Sequence, residues 1–252
     1  MRDRDSELRL ADVLVETADT LNDDFDPERY LRWVADRSVE LLGAQGAGVM
    51  YTGRGAEVRL VPCSNQQDVV LDLLEVQHRG GPCVESFGTG EPVPQVRIDR
   101  DGAGARWPAF AERADKYGVA ETYAVPMRRN STMLGVLNVF VPAERRSMAP
   151  ERELRIAQAL ANAAAMGLHN HRTHSAYRAL SEQLQTALDS RIRIEQAKGI
   201  LAERWNTGMD EAFDALRRYA RRERQVVDLV AVQVIKGAID AEVLRRGRSE
   251  PS

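Results

Sequence analysis

The chain has 252 residues, 43% of them hydrophobic and 29% charged, with a formal net charge of −3. That length and balance suit one large domain or two modest ones, and they exclude a disordered or fibrous chain. The negative balance argues against a generic polyanion binder, no apolar run approaches the roughly 20 residues that span a bilayer, and Cys63 and Cys83 alone make no disulfide framework.

The opening Met1-Arg2-Asp3-Arg4-Asp5 leads into mixed polar sequence with no secretory signal, so the expected compartment is the cytoplasm, with no membrane attachment. Residues 6–22 repeat Leu10, Leu14, Ala18 and Leu21 at helical spacing. After a turn at Asn22-Asp23-Asp24, Asp26 and Pro27 read as N-cap and first residue of a second helix. That helix places Leu31, Val34, Ser38 and Leu41 on one face and stops at Gly43. Short apolar runs from Gly46 to Thr52 and from Glu57 to Pro62, split by Gly53-Arg54-Gly55, read as a hairpin.

Residues 66–77 are helical in pattern and are broken by Gly80-Gly81-Pro82. A short helix from Cys83 to Phe87, a strand from Pro92 to Ile98 and a helix from Trp107 to Tyr117 follow. Two β-rich runs, Thr122 to Met127 and Leu134 to Val141, flank the polar turn Arg128 to Thr132. The expected fold over residues 6–168 is therefore α+β, an antiparallel sheet flanked by helices.

No proline occurs between Pro150 and Pro251. Leu154, Ala157, Ala161, Ala164 and Leu168 form an alanine-rich stripe, and helix is expected to continue through Tyr177, Leu180, Leu184 and Leu188 toward Leu201. Such a stripe needs a partner: the sheet, a second copy in a coiled coil, or each for a different stretch. Residues 169–189 are assigned as a helical linker and 190–246 as an all-α, three-helix domain.

Arg204 to Gly208 breaks the long helix, and Asp210 and Glu211 then favour the positive end of a new helix dipole. On a helical wheel Met209, Ala212, Phe213, Leu216, Tyr219 and Ala220 share one side, opposite Arg217, Arg218, Arg221 and Arg222. A third helix from about Asp228 to Leu244 contributes Leu229, Ala231, Val234, Ile235 and Ile239. Four arginines on one face are a solvated surface with partners such as Asp214, or a phosphate-binding surface. Bulk charge does not decide, since residues 189–252 hold thirteen Lys/Arg against eleven Asp/Glu.

The pattern Arg191-x-x-Ile194-x-Gln196-Ala197-Lys198-Gly199-Ile200-Leu201, then Glu211-Ala212-Phe213-x-x-Leu216-Arg217-x-x-Ala220-Arg221, resembles the ANTAR family. The third helix departs from it at Arg224 and Leu229. The resemblance implies a three-helix RNA-binding domain of transcription antiterminators, generally dimeric, that captures paired stem-loops in nascent mRNA and prevents termination. By family position it implies RNA contacts near Arg191, Gln196, Lys198 and Gly199, to which Arg217, Arg218 and Arg221 are added from the basic face. Ala197, Ile200, Leu201, Phe213, Leu216 and Ala220 read as core.

The first domain carries Gly81-Pro82-Cys83-Val84-Glu85-Ser86-Phe87, Thr89 to Val93, Arg106-Trp107-Pro108-x-Phe110, Val125-Pro126-Met127 and Leu134 to Asn138. It resembles a GAF domain, specifically those joined to ANTAR modules in actinobacteria. That implies a sensor with a small ligand of unknown identity between the sheet and its covering helices, and no cofactor is expected.

Cys83 is read as a half-buried structural residue or as a redox sensor, because a helix N-terminus lowers a thiol pKa. Some GAF-fold proteins are thiol-based methionine sulfoxide reductases, but two cysteines twenty residues apart lack the needed resolving partner. His169, His171 and His174 have no completing ligands and are assigned to linker helix, with no metal. The expected function is a non-enzymatic, signal-responsive RNA-binding regulator. The alternatives are a GAF-controlled protein–protein interaction module and, behind it, the thiol reductase.

Overall fold

A computed structural model describes residues 2–17, 25–53, 57–144 and 148–245. The chain divides into two compact units, Met1–His174 and Ser175–Ser252. The first opens with α1 (Arg2–Glu16), which buries Val13 and is followed by buried Thr17. The expected positions Ala18 and Leu21 and the turn Asn22–Asp24 lie outside the described residues.

Helix α2 (Pro27–Leu42) begins as the sequence dictates. The Asp26 carboxylate accepts the Glu28 N–H at 2.9 Å, Pro27 occupies the first turn, and Gly43 ends the helix at φ 58. Its buried face is Leu31, Val34, Ala35, Ser38 and Leu42, so Leu42 takes the place expected for Leu41.

Five strands follow: β1 (Gly46–Thr52), β2 (Val58–Pro62), β3 (Val93–Arg97), β4 (Val119–Arg129) and β5 (Thr132–Pro142). They form one antiparallel sheet in the order β2-β1-β5-β4-β3. Of the expected β1–β2 turn, Arg54 and Gly55 lie outside the described residues. The β4–β5 hairpin pairs Arg129 with Thr132 across two residues, and Asn130 takes φ 54, the left-handed geometry tight hairpins need.

Between the strands lie α3 (Gln67–Glu75), a 3-10 turn over Val76–Arg79, α4 (Pro82–Thr89), α5 (Ala103–Arg106) and α6 (Pro108–Lys116). The short α5 has no counterpart in the sequence reading. Gly46 and Gly48 let α3 approach β1: an added Cβ would lie 2.6 Å from Val70 Cγ2 and 2.7 Å from Leu74 Cδ1 respectively. Alternation then turns Ala47, Val49 and Tyr51 to the other face. There Phe25, just before α2, stacks on His171 with ring centroids 4.3 Å apart, and the two share a small cavity with Tyr51.

Helix α7 (Pro150–Trp205) is a single helix of 56 residues. Ala157, Ala161, Ala164, Ala165 and Leu168 belong to the core of the first unit. Ala197 and Leu201 belong to a separate core with residues of α8 (Met209–Arg222), α9 (Val227–Ile235) and α10 (Ala241–Arg245). Between them Tyr177, Leu180, Leu184 and Leu188 stay 51–68% exposed.

The expected third helix is in fact two. Gly237 at φ 66 closes α9, and the Asp240 carboxylate accepts the Glu242 N–H at 3.0 Å to start α10. The core takes Val230, Ala231 and Val234 from α9, while Leu229 and Ile235, expected inside, are exposed. Two residues beyond the end of α8, Arg224 adopts φ 54, a region where only glycine is comfortable and asparagine tolerable.

Candidate nucleic-acid interface

The second unit builds a surface on the last turns of α7 and on α8. Its interior is made largely of small residues, with Ala197, Leu201, Ala212, Leu216 and Ala220 all at 2% exposure or less. Small side chains bring two helices close and leave long ones at the edges to reach solvent. A two-point ion pair fastens α9 to α7. Arg193 donates from Nε and Nη2 to the two carboxylate oxygens of Asp228, each at 2.7 Å. These hydrogen bonds, joined by one from Ser190, hold the Asp228 carboxyl below its ordinary range. Arg193 therefore serves the fold and not the outer surface. Sequence reasoning missed this pair, because no short-range spacing links residues 193 and 228.

The residues singled out from sequence fall into two groups. Arg191, Gln196, Arg218 and Arg221 are exposed, and among the described residues no carboxylate pairs with those three arginines. Asp214, the expected partner of Arg218, makes no ion pair with it. Gly199 is part-exposed, and a Cβ added there would meet nothing within 4 Å. Its backbone therefore faces open space, not a neighbouring helix.

Lys198 and Arg217 both make contacts within the unit, Lys198 part-buried and Arg217 exposed. The Lys198 ammonium lies 2.9 and 3.0 Å from the two Glu195 oxygens and 5.3 Å from the Phe213 ring centroid. Its side chain is only 13% exposed. The Arg217 guanidinium lies 5.6 Å from the same centroid. Arg222 sits over the Tyr219 ring at 4.8 Å and bonds Glu223 at 2.9 Å. Phe213, expected in the core, is half-buried and stands outside the core cluster.

The GAF domain family model matches residues 26–168, more than half of the chain. The chain belongs to the GAF domain family. The ANTAR domain model matches residues 182–235, the region of this surface. GAF domains are sensors and ANTAR domains are the RNA-binding module of antiterminators, so the architecture is that of a regulator.

No curated protein matches the chain. Solved structures similar to it include the GAF domain of a putative sensor histidine kinase from Pseudomonas syringae pv. tomato (16% identity, 71% of this chain and 97% of that one, TM-score 0.46). The free methionine-R-sulfoxide reductase from Neisseria meningitidis is similar at 18% identity, over 65% of this chain and 90% of that one, with TM-score 0.44. The LuxR family factor CepR2 from Burkholderia cenocepacia is similar at 18% identity, over 65% and 98%, with TM-score 0.48.

In the GAF domain a cluster of buried polar side chains lies between the sheet and α4. Gln77, Cys83, Ser86, Thr122 and Asn138 are all at 1% exposure or less, beside Phe110 and Phe140. The Gln77 amide oxygen accepts the Cys83 N–H at 2.8 Å, and the Thr122 hydroxyl donates to Asn138 Oδ1 at 3.0 Å. Cys83 does sit in the first turn of α4, but desolvation outweighs the helix N-terminus. Burial pushes its thiol up to about 12, with Asn138 and Gln77 offsetting only part of the rise. The expectation of a lowered thiol pKa is thus reversed, and Cys63 is raised by burial as well.

A cavity of about 560 Å³ lies at one end of the sheet, lined by Gln95, Arg97, Asp99, Asp115, Glu121 and Glu153 among others. Among the described residues no group of His, Cys, Asp and Glu could hold a metal ion, and no helix is long and apolar enough to cross a membrane.

Proposed function

We propose that the chain is a signal-responsive regulator whose helical unit captures tandem stem-loops in nascent mRNA and so prevents transcription termination. The observation that carries this reading is the set of exposed arginines, Arg191, Arg218 and Arg221, without carboxylate partners among the described residues, on the segment with the ANTAR match. Guanidinium groups bind phosphate oxygens in paired hydrogen bonds, and loops of RNA expose unpaired base edges to side chains. Gln196 and the open backbone at Gly199 lie on the same stretch of α7.

Two copies act together in this reading. Tyr177, Leu180, Leu184 and Leu188 repeat at three- and four-residue spacing along the linker part of α7 and are exposed in the single chain. A parallel partner helix would cover that stripe and present two RNA-binding units to two adjacent stem-loops. A small ligand at the GAF domain supplies the signal and shifts the population of competent dimers.

The test is retention of tandem stem-loop RNA on filters, with wild-type protein and an Arg218→Glu/Arg221→Glu double variant. Wild-type binding and a loss of about tenfold or more in the variant are expected, since each reversed charge turns a phosphate attraction into repulsion. No retention of RNA by the wild type, with a partner protein bound at the same surface, would replace this reading with a protein-interaction module.

A further inference from the structure

Helix α8 turns Ala212, Leu216 and Ala220 into the core and packs Tyr219 against it, yet Phe213 on the same side stays out of it. Ala212, Leu216 and Ala220 are buried, whereas the ring of Phe213 remains half-buried and lies outside the core cluster. Two cations sit over this ring, with Lys198 Nζ at 5.3 Å and Arg217 Cζ at 5.6 Å from its centroid. Lys198 is fixed in place by both Glu195 oxygens. Beside it, Gly199 leaves the backbone open, and Arg221 follows Arg217 by one helical turn.

A phenylalanine left part-exposed gives up some of the burial that favours it, and a leucine would serve a purely apolar edge as well. What the ring adds is a flat π-face, and what Arg217 adds is a planar guanidinium within cation–π reach of it. A flat partner that carries negative charge on its own backbone fits such a site. An unpaired nucleobase, with its phosphate toward the arginines, has that chemistry, because bases stack on aromatic and guanidinium planes alike.

We propose that Phe213 and Arg217 form the stacking platform for one unpaired base of an RNA loop. Lys198 is a positioning residue that holds the ring and does not contact phosphate. The inference rests on the RNA reading above and assigns that interface its base-contacting element.

The experiment uses the full chain and stem-loop RNA carrying 2-aminopurine at each loop position in turn. One position is expected to change fluorescence on binding, and Phe213→Leu abolishes that change and weakens binding by about tenfold to a hundredfold. Phe213→Tyr keeps the ring and retains the response, while Arg217→Lys keeps the charge and loses part of it. RNA lacking the base at that position weakens the wild type equally but costs Phe213→Leu nothing further. Lys198→Gln weakens intact RNA and spares the abasic one, whereas a phosphate contact would be lost from both. RNA binding that Phe213→Leu leaves unchanged, or losses from the abasic site and Phe213→Leu that add in full, would overturn the platform while leaving the RNA reading intact. Failure of the wild type to bind any RNA would overturn both.

Discussion

Arg193 in α7 and Asp228 in α9 meet through two parallel hydrogen bonds of 2.7 Å, thirty-five residues apart in sequence. The pair closes the helical unit by tying its third helix to its first. It also removes one guanidinium from the cationic surface that a count of basic residues would assign.

This clasp makes the helical unit acid-sensitive. Asp228 has a folded-state pKa below its ordinary 3.8, so its stabilisation is fully present above that value and is lost as pH falls through the depressed one. Thermal melts followed by circular dichroism between about pH 2.5 and pH 7 should show a steeper acid decline for wild type than for Asp228→Asn. Equal acid slopes would mean that the carboxylate carries no linkage.

Leu216 and Leu184 separate burial from association. Leu216 is fully buried, and Leu216→Ala should cost about 2–5 kcal/mol in urea unfolding. Leu184 is 56% exposed, so Leu184→Glu should leave the fold in place and shift sedimentation from dimer toward monomer. A Leu184→Glu protein that still sediments as a dimer would remove the linker stripe as the seam.

Arg224 holds a left-handed backbone at the end of α8, where the Gln225 N–H returns to the Ala220 carbonyl at 2.9 Å. A side chain with a Cβ costs about 1–2 kcal/mol in that region relative to glycine. Arg224→Gly should therefore raise the unfolding midpoint, and Arg224→Asn should raise it less. A lower midpoint for Arg224→Gly would show that the arginine side chain contributes more than its backbone costs.

Cys83 should resist iodoacetamide in the native chain at neutral pH, because a buried thiol raised to about 12 supplies almost no thiolate. Mass spectrometry should find it alkylated only after denaturation. Rapid native modification would restore the redox-sensor reading of this residue.

The sheet, its helices and the length of α7 were legible because they follow from alternation, punctuation and an uninterrupted proline-free stretch. Asp26, Gly43 and the Asn130 turn did locally what their side chains dictate. The break at Gly237 and Asp240 was also written in the sequence, yet apolar spacing alone runs straight through it. Phe213 was misjudged for a different reason: a wheel sorts residues by angle, and depth depends on how small the neighbours are. For Cys83 the structural reading and the redox-sensor reading stood side by side in the sequence, because the helix end is local and visible whereas the depth of burial that raises the thiol is set by the whole fold.

The internal pairing of charges has a thermodynamic consequence. Lys198 with Glu195, Arg193 with Asp228 and Arg222 with Glu223 are neutralised before any ligand arrives. Only cations not already matched in this way can replace the small ions condensed along a nucleic-acid backbone. The number of counterions released on association should therefore track the short set of unmatched arginines, and affinity should respond to ionic strength far less than thirteen basic residues suggest.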